Sequence, residues 1–206
     1  DYSLLTRKLN INLTTVKTLE NKGIIEITTH TMFRNTIKNT IKSGEKILLN
    51  EEQRYVAESI IKDMENGDMM PSLIKGVTGS GKTEVYLELI EWVINRGGDV
   101  ICLIPEISLT YQTVMRFYNR FGDIVSVINS KMSKGERYDS FEMAKSGKIR
   151  IMIGPRSALF TPFNRLSLII IDEEHESAYK SENVPRYHAR ETAIELAKMT
   201  GAKVVL

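Results

Sequence analysis

Cysteine is almost absent from the 206 residues: Cys102 is the only one, and it lies inside the apolar run Val100-Ile101-Cys102-Leu103-Ile104. With no second thiol, the stretch can form neither an internal disulfide nor a cysteine-type zinc site, and a reducing compartment suits it. Cys102 reads as a small core residue rather than a reactive thiol. Long hydrophobic runs are also missing. Nothing approaches the roughly 18 apolar residues of a membrane span, and no signal-peptide pattern opens the chain, so the reading is a soluble, cytoplasmic protein with no membrane partner. Charge of one sign is lacking too: 28 Lys and Arg against 26 Asp and Glu leave a formal +2, too mild to announce nucleic acid and too mild to exclude it. No internal repeat or low-complexity segment is visible. The length suffices for one large or two small domains with a real core. Asp1 is not an initiator and the last strand has nothing after it, so the sequence reads as a piece of a longer protein.

What is there centres on Leu73-Ile74-Lys75-Gly76-Val77-Thr78-Gly79-Ser80-Gly81-Lys82-Thr83. An apolar run leads into G-x-x-x-x-G-K-T, and helical spacing of apolar residues follows through Val85, Leu87, Leu89 and Ile90, which predicts strand, loop, helix. A backbone that wraps a triphosphate needs positive φ and close approach, which a Cβ would block. The loop opens into a helix, whose unpaired N–H groups and positive dipole end face the phosphates. Gly76, Val77, Thr78, Gly79, Ser80 and Gly81 would cradle ATP, Lys82 would reach its outer phosphates, and Thr83 would hold Mg²⁺ through its hydroxyl. A glycine-rich turn that only caps a helix is the plain alternative.

Residues 1–33 read as a partial winged helix-turn-helix. Leu4, Leu5 and Leu9 give one helical face, Leu13, Val16 and Leu19 a second closed by Gly23, and Ile25 and Ile27 alternate as a strand does. Residues 34–46, polar and basic, read as a linker. From residue 47 a second domain begins, with Asn50 as N-cap and Gln53 at N3 of a helix that stops at Gly67. Strands are expected at 100–104, 124–128, 149–153, 168–171 and 203–206, and helices around 109–120, 135–145 and 190–198. Nearly unbroken apolar strands mean burial on both faces, hence an α/β lobe with a mainly parallel sheet.

Leu168-Ile169-Ile170-Ile171-Asp172-Glu173-Glu174-His175 is the second decisive run. A strand ending in acids puts carboxylates at the sheet edge that the P-loop occupies. Asp172 would serve Mg²⁺ and Glu173 would orient and deprotonate an attacking water. Ser108 and Thr110 stand at a helix start after Pro105, where N-capping and phosphate binding by N–H groups both fit. Between Tyr179 and Arg190, aromatics interleave with cations (Tyr179, Lys180, Arg186, Tyr187, His188, Arg190), as in proteins that stack single-stranded bases and track phosphates. A mobile surface loop is the alternative. His175-Glu176-Ser177-Ala178-Tyr179 lacks the second histidine of H-E-x-x-H, so zinc at His175 or His188 is not expected.

These blocks, with Pro105-Glu106-Ile107-Ser108-Leu109-Thr110, Gly154-Pro155-Arg156-Ser157 and Pro185-Arg186-Tyr187-His188-Ala189-Arg190, resemble the primosomal replication-restart DNA helicases of superfamily 2, the DExH type, over residues 49–206. The resemblance implies a RecA-like P-loop NTPase lobe, with the final strand inserted between the P-loop run and the Asp172 strand. It also implies an ATP- and Mg²⁺-dependent 3′-to-5′ translocase on single-stranded and forked DNA, working with primosome and single-strand-binding proteins. It assigns Gln53 to adenine, His175 to coupling between ATP and DNA, and Arg156 and Ser157 to the single strand. A second lobe bringing arginines, with a zinc region inside it, is expected beyond residue 206, so this stretch alone should turn over little or no nucleotide. Asn129 and Ser181 depart from the family pattern, where histidine and glutamine are usual. A P-loop kinase of a small metabolite and a DNA-binding module with a vestigial nucleotide site are the rival readings.

Overall fold

The computed structural model describes residues 13–24, 48–77 and 79–206. The chain divides into two units, residues 1–32 and 33–206. In the first, helix α1 (Leu13–Asn21) is followed by Gly23 at φ +67°, which lets the Gly23 and Ile24 N–H groups reach back to the carbonyls of Glu20 and Leu19. The helix expected over Leu4, Leu5 and Leu9, the strand at Ile25 and Ile27, and the linker at 34–46 lie outside the described residues, as does Thr78.

The second unit is built on a five-stranded, all-parallel sheet. Its strands are β1 (Asp99–Leu103), β2 (Val125–Val127), β3 (Ile151–Gly154), β4 (Leu166–Ile171) and β5 (Lys203–Val205), in the order β2-β3-β1-β4-β5. Helices α2 (Glu51–Glu65), α3 (Lys82–Asn95), α4 (Tyr111–Phe121), α5 (Lys134–Lys145) and α6 (Ala189–Thr200) connect and cover it. Alternate strand residues feed two cores, as the pleat requires. Val100, Cys102, Ile151, Ile153, Leu168, Ile170 and Val205 pack with α2, α3 and α4. Ile101, Leu103, Met152, Ile169, Ile171 and Val204 pack with α6 on the other face. There Ala189, Ala193 and Ala197, one helical turn apart, form a buried stripe of small residues that lets α6 lie close on β4. Cys102 is fully buried, so the lone thiol is indeed a core residue.

The P-loop run adds itself beside β5 in parallel. Ser72 N–H donates to Val204 O at 2.9 Å, Leu206 N–H to Ser72 O at 2.8 Å and Ile74 N–H to Leu206 O at 2.8 Å. It amounts to one bridge with flanking bonds, shorter than the strand expected from Leu73-Ile74-Lys75. β5 therefore lies between the P-loop run and β4, as the family topology required. Lys203 opens this strand and is buried. Its Nζ donates to Asp68 O at 3.0 Å and stands 3.6 Å from Asp63 Oδ2, so a charge that reads as a strand terminus is instead satisfied inside.

Asn50 caps α2 as expected: its Oδ1 accepts the Gln53 N–H at 2.8 Å, and Gln53 Oε1 accepts the Asn50 N–H at 3.0 Å. Among the described residues, no helix is long and apolar enough to cross a membrane.

Candidate functional site

The turn before α3 is set by glycine backbones. Gly79 and Gly81 have φ of +84° and +85°, which side chains rarely adopt. A Cβ on Gly81 would also stand 2.2 Å from Gln53 Nε2. Gly81 is the N-cap of α3 and brings no capping side chain, so the first-turn N–H groups stay directed out of the helix end, where an anion is favoured. Lys82 and Thr83 are the first two residues of α3. Gln53 ties α2 to this loop, its Nε2 donating to Ser80 O at 2.9 Å. After the cap and this bond, its amide still has one N–H and one lone pair to offer.

The acids reach the same place from β4. Asp172 N–H donates to Leu103 O at 2.9 Å, extending the ladder by one residue past β4. Glu173 then takes φ +49°, a left-handed turn. That turn, not the alternation of an extended strand, points the two carboxylates differently. The Lys82 ammonium donates to Gly76 O at 2.9 Å and lies 3.2 Å from Glu173 Oε1. Tyr86 OH donates to Asp172 Oδ1 at 3.2 Å. Burial raises the Asp172 carboxyl above its ordinary value and the Glu173 charge adds to this, while the Tyr86 bond and Lys82 pull the other way. A cavity of about 410 Å³ is lined by Ile74, Gly76, Lys82, Tyr86, Glu173 and His175, among others. His175 is 70% exposed, its Nε2 3.8 Å from Glu173 Oε2.

The residues assigned to DNA are placed less uniformly. Thr110 caps α4, its Oγ1 accepting the Thr113 N–H at 3.2 Å, and Ser108 O accepts the Thr113 hydroxyl at 3.1 Å. Arg156 and Ser157 stand on a 3₁₀ turn (Arg156–Phe160) beside a cavity of about 350 Å³ that Ile107, Ser130 and Arg137 also line. Arg156 Nη1 is engaged by the following loop, donating to Ala178 O at 2.6 Å and Lys180 O at 3.2 Å.

Tyr179 requires a correction. It is only 1% exposed, and its hydroxyl donates to Asp172 O at 2.7 Å with Leu103 O 3.0 Å away. A ring so placed cannot stack on a base. It is a strut beneath the acid pair, and the aromatic–cation spacing gave no sign of it because the burial comes from distant strand ends. Tyr187 is half-buried, edge-on to exposed Phe160 at 5.2 Å between ring centroids. His188 Nδ1 caps α6 by accepting the Arg190 N–H at 3.3 Å, and Arg190 Nη1 meets Glu174 Oε2 at 2.6 Å. Lys180 and Arg186 are exposed. At the departures, Asn129 Oδ1 accepts the Lys131 N–H at 3.0 Å, and the buried Ser181 donates to Asn183 O at 3.1 Å, both local turn contacts. Tyr86, on the helix after the P-loop, is a site contact that spacing did not single out.

Comparison with known proteins bears on this arrangement. Residues 46–202 match the family model described as type III restriction enzyme, res subunit. The chain is 44% identical over 203 residues to the replication restart protein PriA of Bacillus subtilis (strain 168), covering 98% of this chain and 25% of that protein. It is also 44% identical over 159 residues to the PriA of Chlamydia pneumoniae, covering 77% of this chain and 21% of that protein. It thus spans about a quarter of the length of these relatives. Among solved structures, T4 UvsW matches with a TM-score of 0.54 at 17% identity, over 82% of this chain and 32% of that one, which shows a shared RecA-like fold. With its P-loop, acid pair and four of the five sheet strands inside the matched span, the chain belongs to the type III restriction enzyme, res subunit family.

Proposed function

We propose that these residues are the ATP-binding lobe of a 3′-to-5′ DNA helicase that acts in replication restart. The observation that carries the reading is the meeting of Lys82 and Glu173, 3.2 Å apart, with Asp172 beside them, at one rim of the parallel sheet. In this reading Gly76, Val77, Thr78, Gly79, Ser80 and Gly81 cradle the phosphates. Lys82 leaves the Glu173 carboxylate for phosphate oxygens, and Glu173 takes the proton of the attacking water. Thr83 and Asp172 fit a hard cation by their oxygen donors. Mg²⁺ held there would neutralise phosphate charge.

Single-stranded and forked DNA are the polymer partners, with primosome and single-strand-binding proteins alongside. The relatives' name, replication restart protein, supports this placement. Ser108, Thr110, Ser157, Lys180, Arg186 and Tyr187 form its DNA side, with His175 relaying between the two. Arg156, His188 and Arg190 contribute through the loop contacts described above.

The test is nucleotide hydrolysis by the full-length polypeptide with and without single-stranded and forked DNA. DNA should raise the rate at least several-fold. Hydrolysis indifferent to DNA would return the small-metabolite kinase reading, and absence of nucleotide binding the vestigial-site reading.

Gln53→Ala separates nucleobase reading from capping. Competition of ATP and GTP against a fluorescent nucleotide should show the preference for ATP reduced by about 3- to 10-fold, as loss of one or two hydrogen bonds implies. An unchanged preference, with only a lowered melting temperature, leaves Gln53 as a cap and a strut.

A further inference from the structure

Tyr86 touches the acid pair and has no part in the reading above. It follows Lys82 by four residues on α3, so the two side chains leave the same helical face, one meeting Glu173 and the other Asp172. Its ring is 2% exposed and belongs to the core shared with Val100, Cys102 and Leu168. Phenylalanine would fill nearly the same volume; the hydroxyl adds one hydrogen bond, to Asp172 Oδ1. Burial and the neighbouring Asp172 charge push the phenol far above its ordinary value, so it remains a donor at any working pH.

The Asp172 backbone is fixed separately. Its N–H donates to Leu103 O, and its carbonyl accepts the Tyr179 hydroxyl at 2.7 Å. What is left to set is the rotation of the carboxylate. Among the described residues the Tyr86 hydroxyl donates to it, and the backbone N–H of Glu173 adjoins it. Only the first is a side chain that can be changed without disturbing the turn.

We propose that Tyr86 is a positioning residue, whose hydroxyl fixes the orientation in which the Asp172 carboxylate meets a divalent cation of the bound nucleotide. The inference rests on the nucleotide-site reading and goes beyond it in giving Tyr86 a task. Helix α3 then serves both halves of the site, presenting Lys82 and Thr83 to the nucleotide while Tyr86 registers the acid that faces it.

The experiment is binding of a fluorescent ATP analogue to the full-length polypeptide, titrated with Mg²⁺ and repeated in excess chelator. In Tyr86→Phe the half-saturating Mg²⁺ should rise about 3- to 10-fold, the range that one hydrogen bond supports. Affinity in chelator should stay within about twofold. In an Asp172→Asn background the same change should add nothing, as a double-mutant cycle requires of a coupled pair. Equal loss with and without Mg²⁺, or an undiminished effect in Asp172→Asn, reduces Tyr86 to packing and overturns the proposal. If Tyr86→Phe fails to fold, the hydroxyl proton resonance of Tyr86 in the native protein carries the test. It should shift when Mg²⁺ joins bound nucleotide, and an unmoved resonance overturns the proposal. A native protein that binds no nucleotide sinks the site reading and this inference together; Mg²⁺-dependent binding indifferent to Tyr86→Phe sinks the inference alone.

Discussion

Glu173→Gln is expected to slow nucleotide hydrolysis by the full-length polypeptide by about 10²- to 10⁴-fold, the range a positioned general base supplies, while nucleotide binding is retained or tightened. Glutamine keeps the length and planarity of the side chain and can adopt the same left-handed turn at φ +49°, so the path of the chain after β4 need not move. What it loses is the capacity to accept a proton at neutral pH. It also loses the charge that faces the Lys82 ammonium at 3.2 Å. Lys82 then keeps its bond to Gly76 O but loses its ion pair with Glu173, and its attraction for a polyphosphate rises. Binding and turnover therefore move in opposite directions, which a merely destabilised site would not do. Single-turnover hydrolysis alongside fluorescent-nucleotide titration reads both. Turnover reduced less than about tenfold would remove Glu173 from the role of base and leave it as the partner of Lys82.

Much of this site was legible because its chemistry is local in sequence. The G-x-x-x-x-G-K-T run and the apolar strand ending in Asp172 each state a backbone requirement that only certain residues meet. Both sit where a parallel sheet brings strand ends to one edge. The capping box at Asn50 and Gln53 was legible for the same reason, being a contact across three residues. The two tyrosines were not. Tyr86 lies in the apolar stripe of α3, and nothing in helical spacing reveals that its hydroxyl meets a residue 86 positions later. Tyr179 sits among cations, and composition alone placed it on the surface. Its burial is decided by the carbonyls of Leu103 and Asp172 at the ends of β1 and β4, which the local pattern does not encode. Arg156, which the resemblance assigns to the single strand, likewise has contacts that spacing does not show, its guanidinium donating to the Ala178 and Lys180 carbonyls.

The fold was legible to a similar depth. Strand 168–171 was expected and runs from Leu166, while expected strand 124–128 keeps only Val125–Val127, because Ile124 closes a 3₁₀ turn. Such ends depend on where neighbouring strands stop, not on the residues themselves. Unbroken apolar runs gave the parallel sheet, since burial on both faces leaves no polar alternation to preserve. The position of β5 came from family topology instead, because periodicity says which residues are buried and not which strand lies beside which.

That position carries the largest expected effect on stability. Val204→Asp should leave the lobe largely unfolded, whereas Met199→Asp, five residues earlier on the exposed side of α6, should leave its melting unchanged within a degree or two. Val204 has no exposed surface and packs among Ile169, Ile171 and Ala202. Replacing it forfeits about 1.5–3 kcal/mol of apolar burial. The new carboxylate must then be either desolvated or protonated among the apolar side chains of that core. Lys203, next along the strand, turns to the other side, toward Asp63 and Asp68. Together these terms reach several kcal/mol against a typical total of about 5–15 kcal/mol. Damage would not stay at the strand, because β5 holds β4 on one side through Leu168, Ile169 and Ile170, and Ser72 and Ile74 on the other. The acid pair hangs from β4 and the P-loop follows Ile74, so loss of β5 should abolish nucleotide binding together with the cooperative melt. Circular dichroism melts of the two variants in the full-length polypeptide decide it. A Val204→Asp protein that melts with the native lobe would mean that β5 is an edge, and the spatial link between Lys82 and Glu173 would then need another support.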